Sequence, residues 1–242
     1  MRTFTEYCGP DSVAYNLVNE LLNSTSDVSL YREKMVGLGQ CLANSILPTL
    51  NSQKASTDIC VVCTVEDADF LARGLIEQLE RKGFSNRVHI ICLWNDKIRN
   101  ENVSLSPIIR EYKEPFNTDD SIFVVVKSII SGACVVKTNL TRAISIAKPT
   151  RIIVAAPVML EKAEERLSDE FPIEINSKFE FVHFATDSDK DGENVQPGIG
   201  GSLYELLGLG NVDEKNRYVP GIVKQRRQKI YGSSGSLMEV CV

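Results

Sequence analysis

The chain has 242 residues, 43% of them hydrophobic and 24% charged, with 27 basic against 32 acidic side chains and a formal net charge of −5. That apolar share excludes a disordered chain, which lacks the groups to offset its ordering entropy, and a mildly acidic balance gives no overall attraction for nucleic acid or anionic lipid. The longest apolar runs, such as Ile122 to Val126 and Ile152 to Leu160, fall short of the ~20 residues of a membrane helix; with no apolar signal core at the N-terminus, a cytoplasmic protein is expected.

Apolar residues at helical spacing over 13–22 and 30–47 (Tyr31, Met35, Leu38, Cys41, Leu42, Ile46) predict two helices, the second capped by Ser29. Residues 58–65 are β-branched and apolar throughout, as in a strand buried on both faces. A helix follows over 67–82, ending at Gly83, then a strand over 87–94 and a polar, irregular stretch over 95–120. Strand 121–127, helix 133–147, strand 151–157, helix 159–169 and strand 178–185 complete the alternation. Strands alternating with helices imply an α/β fold with a mostly parallel sheet and helices on both faces. Ligands of such sheets bind outside the carboxyl ends of the strands, so the segments after Val65, Val126 and Ala185 matter most.

The seven cysteines read as reduced thiols. Cys60 and Cys63 form a lone CxxC inside an apolar run, whereas a four-thiolate zinc site needs a second pair; ordinary buried strand residues are expected. His89 and His183, the two histidines, both stand in strand-like runs, so neither a His-dependent triad nor a metal site is assigned. Residues 214–230 hold six basic residues and one acidic one, and Gly232-Ser-Ser-Gly-Ser236 reads as a flexible linker. This tail is either a solvated surface helix or a basic strip for an acidic partner; its sparse aromatics, Tyr218 and Tyr231, argue against nucleic acid.

In Ile122-Phe-Val-Val-Val-Lys-Ser-Ile-Ile-Ser-Gly-Ala-Cys134 a buried strand runs into small residues and then a helix. Ser131, Gly132, Ala133 and Cys134 are therefore a candidate phosphate-binding loop, because a helix start offers unpaired N–H groups and a positive dipole end. The stretch resembles the 5-phosphoribosyl-1-pyrophosphate loop of type I phosphoribosyltransferases. Leu30 to Ala43, Ile152 to Val158, and Gln196-Pro-Gly-Ile-Gly-Gly201 followed by Leu206-Leu-Gly208 are similar, in order and spacing, to segments of the uracil phosphoribosyltransferase branch. The resemblance covers roughly residues 17–209. It implies a type I phosphoribosyltransferase-like α/β domain over 1–209, with a hood built from the termini and 185–209, and a homo-oligomer; the basic extension over 210–242 lies outside the resemblance. It also implies a base-binding loop at Gln196, Gly198, Gly200, Gly201 and Ser202.

The chain departs from the family's pattern where charge matters. The two acids of the phosphoribosyl loop stand at Val126 and Lys127 here, and the arginine of the pyrophosphate loop stands at Glu66, followed by Asp67. A family Tyr-Arg-Asp resembles Trp94-Asn95-Asp96, and the acid of the uracil loop is Gly201. Arginine grips phosphate oxygens bidentately, whereas glutamate repels them. The expectation is a catalytically impaired member that binds a nucleotide, a phosphoribosyl pyrophosphate-like ligand, or a protein partner through 210–242. The alternative is an active phosphoribosyltransferase making a UMP-like nucleotide from a base and phosphoribosyl pyrophosphate, with Mg²⁺ required only in that case.

Overall fold

The runs rich in Val, Ile and small apolar residues become strands covered on both sides. The computed structural model describes residues 1–96, 98–100, 103–192 and 194–232. In chain order the elements are β1 (Arg2–Phe4), α1 (Val13–Asn23), α2 (Val28–Asn51), β2 (Asp58–Thr64), α3 (Val65–Asp67), α4 (Arg73–Leu79), β3 (Val88–Asn95), β4 (Ile98–Asn100), β5 (Val103–Leu105), β6 (Ile108–Lys113) and β7 (Ser121–Val126). They continue with β8 (Ile129–Ile130), α5 (Cys134–Ile144), β9 (Arg151–Leu160), α6 (Ala163–Asp169), α7 (Ile173–Asn176), β10 (Phe179–Asp187), β11 (Asp189–Asp191), β12 (Asn194–Gln196), α8 (Leu203–Leu206), α9 (Val212–Arg217) and α10 (Gly221–Tyr231). Wide π turns, Ala68–Ala72 and Glu80–Phe84, flank α4.

The main sheet runs β1-β10-β9-β7-β2-β3-β6, with β8 also paired to β9. β10, β9, β7, β2 and β3 are parallel; β1 and β6 close the two edges antiparallel. Side chains alternate across it. Ile59, Val61 and Cys63 join Leu38, Leu42 and Leu75 on one face, while Cys60 and Val62 join Val136 and Leu140 on the other. This is the α/β architecture the sequence implied, a mostly parallel sheet with helices on both faces, and Cys60 and Cys63 are buried in a strand as expected.

Helices α2 and α4 cross at paired glycines. A Cβ on Gly39 would overlap the carbonyl oxygen of Leu71, and one on Gly74 that of Val36. The two backbones therefore approach closely enough to press α4 against β2 and fix where the loop after β2 emerges.

Several boundaries differ from the sequence reading. The cap of α2 is Asp27, not Ser29, its carboxylate accepting from the Leu30 N–H at 3.0 Å. The stretch 95–120 is not irregular: it holds β4, β5 and β6, the last an antiparallel edge strand whose polar residues suit a half-exposed position. β9 extends to Leu160, so the helix expected from 159 starts at Ala163. Residues 196–208 lean on α1 and α2, with the Tyr31 hydroxyl donating to Ile199 O (2.9 Å) and Arg32 donating to Leu207 O (2.6 and 3.0 Å). The N-terminus reaches that region as β1, but α9 and α10 cross to the other end of the sheet and pack by β2 and β3. No helix among the described residues is long and apolar enough to cross a membrane. Most of the expected linker, from Ser233 onward, lies outside the described residues.

Candidate functional site

Connections from β2 lead to β3 on one side, and those from β7 lead to β9 on the other. The gap between the carboxyl ends of β2 and β7 is thus the topological switch point, where ligands of open α/β sheets bind. Val65, which begins α3, and Lys127 leave these two strands side by side.

The charged residues at this gap answer one another. Lys127 Nζ donates to Glu66 Oε1 at 3.1 Å and to Asp67 Oδ2 at 2.8 Å. Asp67, fully buried, also accepts from Thr64 Oγ1 (2.8 Å), from the Ser128 N–H (3.2 Å) and from the Ser128 hydroxyl. Burial pushes the Glu66 carboxyl up, but the ammonium groups of Lys127 and then Lys215 outweigh it and hold the group below its usual range. Burial likewise pulls Lys127 down, and Asp67 and Glu66 outweigh it, so the amine stays charged. Each altered position alone implied a loss of phosphate or ribose recognition. In the structure Lys127 and Glu66, from the two neighbouring loops, form an ion pair. Val126 faces the apolar core and is fully buried.

The candidate phosphate loop follows directly. β8 pairs with β9 (Ile129 opposite Val158, Ile130 opposite Met159), and the chain bends through Ser131, Gly132 and Ala133 into α5. The residue before α5, Ala133, supplies no side-chain cap. Open space lies over Gly132, where a Cβ would meet nothing within 4 Å. The Cys134 thiol reaches Ser106 Oγ at 3.5 Å. Ala133 and Cys134 border a cavity of about 560 Å³ also lined by Lys137, Arg166, Asp169 and Glu170. Lys137 pairs with Glu170, and Arg166 donates to Glu161 O at 2.5 Å. This is an uncapped helix start beside an open cavity whose two cations are matched by two carboxylates, so what it offers an anion is the N–H groups of the helix start.

The candidate base loop is only partly available. The Gly198 N–H donates to Asp187 Oδ2 at 2.9 Å, and its carbonyl accepts from Arg2 at 2.5 Å. Arg2 also binds Asp187 through Nε and Nη2, so Gly198 belongs to a buried scaffold. The Gly200 N–H donates to Pro197 O, and Gln196 pairs with Asp189 across the β11–β12 hairpin. Gln196, Gly200, Gly201 and Ser202 remain exposed. The Ile129 side chain lies against Gly198, so β8 joins the two candidate loops.

The sequence reading missed two arrangements. Lys215, buried at 1% exposure, donates to Asn95 O at 2.6 Å, and its amine is pulled below the lysine range by burial. The second is a cavity of about 460 Å³ lined by Glu6, Tyr7, Glu164, Phe181 and His183. There His183 Nδ1 lies 3.2 Å from Glu164 Oε1; burial pulls His183 down and pushes Glu164 up. No sequence signal joins these residues, because they come from separate parts of the chain.

The Mg²⁺ that an active enzyme of the resembled family would employ finds no fit in this chain's own side chains. Glu66 and Asp67 are engaged by Lys127, and among the described residues no three His, Cys, Asp or Glu side chains cluster so as to hold a metal ion.

No protein-family model matches the chain, and no curated protein matches it. Among solved structures, AQ2163 protein from Aquifex aeolicus superposes with a TM-score of 0.64 at 14% identity, over 82% of this chain and 96% of that one. An adenine phosphoribosyltransferase from Thermoanaerobacter pseudethanolicus aligns at 0.39 and 11% identity, over 62% of this chain and 85% of its own. A hypothetical protein from Neisseria gonorrhoeae with bound ppGpp aligns at 0.38 and 13% identity, over 64% and 80% respectively. The Aquifex likeness shows a shared fold.

Proposed function

We propose that this chain is a divergent phosphoribosyltransferase-like protein of the uracil phosphoribosyltransferase branch, impaired in catalysis, that binds a nucleotide or other phosphate-bearing ligand at Ser131–Cys134. One observation carries the reading: the Lys127–Glu66–Asp67 network. Those are the positions where the family resemblance puts the contacts to the sugar and the pyrophosphate. Displacing pyrophosphate from a ribose phosphate depends on placed charges, and removing one such contact typically costs about 10²–10³ in rate. Here the two carboxylates are taken up by Lys127, whereas the loop that follows keeps its uncapped helix start and its open approach. Chemistry is lost at one half of the site, and anion binding is kept at the other.

Thermal-shift and calorimetric titration with UMP, other nucleotides and phosphoribosyl pyrophosphate tests this. A ligand at 100 times its Kd raises stability by about 2.7 kcal/mol. Gly132→Asp places a carboxylate in the open space over the loop; the fold should be kept and the shift lost. Flat curves for every phosphate compound overturn the binding reading. Pyrophosphate release above blank with uracil or another base replaces the impaired reading with an active transferase. Gel filtration tests the homo-oligomer implied by the resemblance, and pull-downs with and without 210–242 test a protein partner there.

A further inference from the structure

The basic extension is attached to the domain, and the outer face and end of α10 (Lys224, Gln225 and Gln228 to Tyr231) are exposed, as the surface-helix reading expected. Residues 211–222 lie at the carboxyl ends of β2 and β3, and α10 runs from there toward the start of β3, where Arg226 meets Val88 O. Asn211 caps α9 in a reciprocal box with Glu214. Lys215 donates to Asn95 O and lies 5.2 Å from the centre of the Tyr204 ring. Trp94 Nε1 donates to Tyr218 O at 2.8 Å, and the Tyr218 hydroxyl donates to Asp69. Asp69 further accepts from the N–H groups of Gly221 (2.5 Å) and Ile222 (2.7 Å) and from Arg73 (2.6 Å). One carboxylate thus caps α10 and ties it to the segment after β2. Arg226 completes the attachment, reaching Glu114, Glu80 and Val88 O.

This attachment is polar. Of the apolar residues of 211–231, Pro220, Ile222 and Val223 are buried and Tyr218 packs partly against the core, whereas Ile230 and Tyr231 are exposed. The seal is also imperfect: Glu66 Oε2, Asn95 Oδ1 and Asn216 Oδ1 are buried without a hydrogen-bond partner, and water would satisfy all three once the segment lifts. Few buried apolar contacts and unmet polar groups mark an element that opens well below the cost of global unfolding. The segment is also connected to the candidate phosphate loop. Asn95, whose carbonyl takes Lys215, donates through Nδ2 to Asn139 Oδ1 on α5 (2.8 Å) and to Ser106 O (3.0 Å), and Ser106 Oγ takes the Cys134 thiol.

We infer that residues 211–231 are an autoinhibitory strap, latched by Asp69, that exchanges with ligand at the Ser131–Cys134 loop; the inference rests on the ligand reading above. A ligand seated at Cys134 and the start of α5 moves Ser106 and Asn139, and with them Asn95, so Lys215 loses its acceptor. Coupling between two sites is reciprocal, so loosening the strap must tighten the ligand by the same factor.

The test uses the full chain, UMP and inorganic pyrophosphate as probes, hydrogen exchange of the 212–230 amides, and the emission of Trp94, the single tryptophan. Asp69→Ala removes the latch, and Tyr218→Phe is the milder variant should the first fail to fold. The expected result is exchange over 212–230 faster than in β2, β7 and β9, a further rise with UMP, a red shift of Trp94 emission, and roughly tenfold tighter UMP binding by the latch variants. Exchange of the segment only with global unfolding overturns the strap. Binding heat with unchanged exchange, unchanged emission and equal affinity in the variants also overturns it and leaves the ligand reading standing. No binding of either probe to wild type or variants overturns the ligand reading and the strap with it.

Discussion

The gap between β2 and β7 and the loop after β8 stand next to each other and treat charge in opposite ways. At the gap, the buried carboxylates of Glu66 and Asp67 are paired to the largely covered Lys127. At the loop, α5 begins without a side-chain cap beside a solvent-open cavity edged by Lys137, Arg166, Asp169 and Glu170. The difference teaches that charges facing one another across two strand ends can be taken up in pairing, while the neighbouring helix start stays open to solvent.

The sharpest way to break this contrast is to remove the cation. Lys127→Met leaves two buried carboxylates without a counter-charge, which costs about 3–5 kcal/mol. At roughly 2–4 °C per kcal/mol for a chain of this size, the melting temperature should fall by about 6–20 °C. Adding Glu66→Gln and Asp67→Asn should recover most of that loss, because the neutral side chains need no ammonium. Thermal unfolding of the three proteins checks both; an unaffected single variant would show the network to be unimportant.

Acid should then move the two proteins in opposite directions. In the wild type the Glu66 carboxyl is held low by Lys127 and Lys215, and the Asp69 carboxyl, despite its burial, is held low by the Tyr218 hydroxyl, the Ile222 N–H and Arg73. Their stabilisation is complete above the ordinary carboxylate values near pH ~4 and is lost as pH falls through the lowered folded values. In Lys127→Met the buried carboxyls lack the ammonium and rise above those values, so protonation relieves the variant as pH drops from 7 toward 4. Melting temperatures against pH should converge, and parallel curves would contradict the assignment of the shifts to Lys127.

The sheet was legible because its signal is local. The apolar runs at 58–65, 121–127 and 151–157 needed no partner to be identified as doubly covered strands. β6 was not, because an edge strand carries polar residues such as Arg110, Glu111 and Lys113 and reads as loop. Glu66, Asp67, Val126 and Lys127 stood out in the sequence one by one, and the pairing of Lys127 with Glu66 and Asp67 did not. That depends on β2 and β7 being neighbours, a fact of strand order. Lys215 was hidden for a related reason. Its composition says surface, and only the Asp69 latch, 152 positions from the Gly221 it caps, brings that part of the chain inward.

Two smaller effects sharpen the other side of the comparison. Gly132→Asp should change stability by less than about 0.5 kcal/mol, since the added side chain meets open space, while removing nucleotide binding. A stability loss well above that would mean the loop is packed and not poised for a ligand.

The smallest expected effect is on the thiols. Burial pushes Cys60 and Cys92 well above the ordinary thiol range and Cys41 up to about 11, and Cys60 and Cys92 are fully buried. Cys134 is half-buried at the start of α5, on the cavity wall. Labelling needs a thiol that the reagent can reach. Iodoacetamide at pH 8 should therefore label Cys134 before Cys41, Cys60 and Cys92, with Cys241, outside the described residues, scored separately by peptide mapping. UMP should slow the labelling of Cys134 a few-fold and leave Cys41 unchanged, because only the former borders the loop. Equal slowing at both would mean that the nucleotide stabilises the whole fold from elsewhere, and the division between a closed gap and an open loop would have to be redrawn.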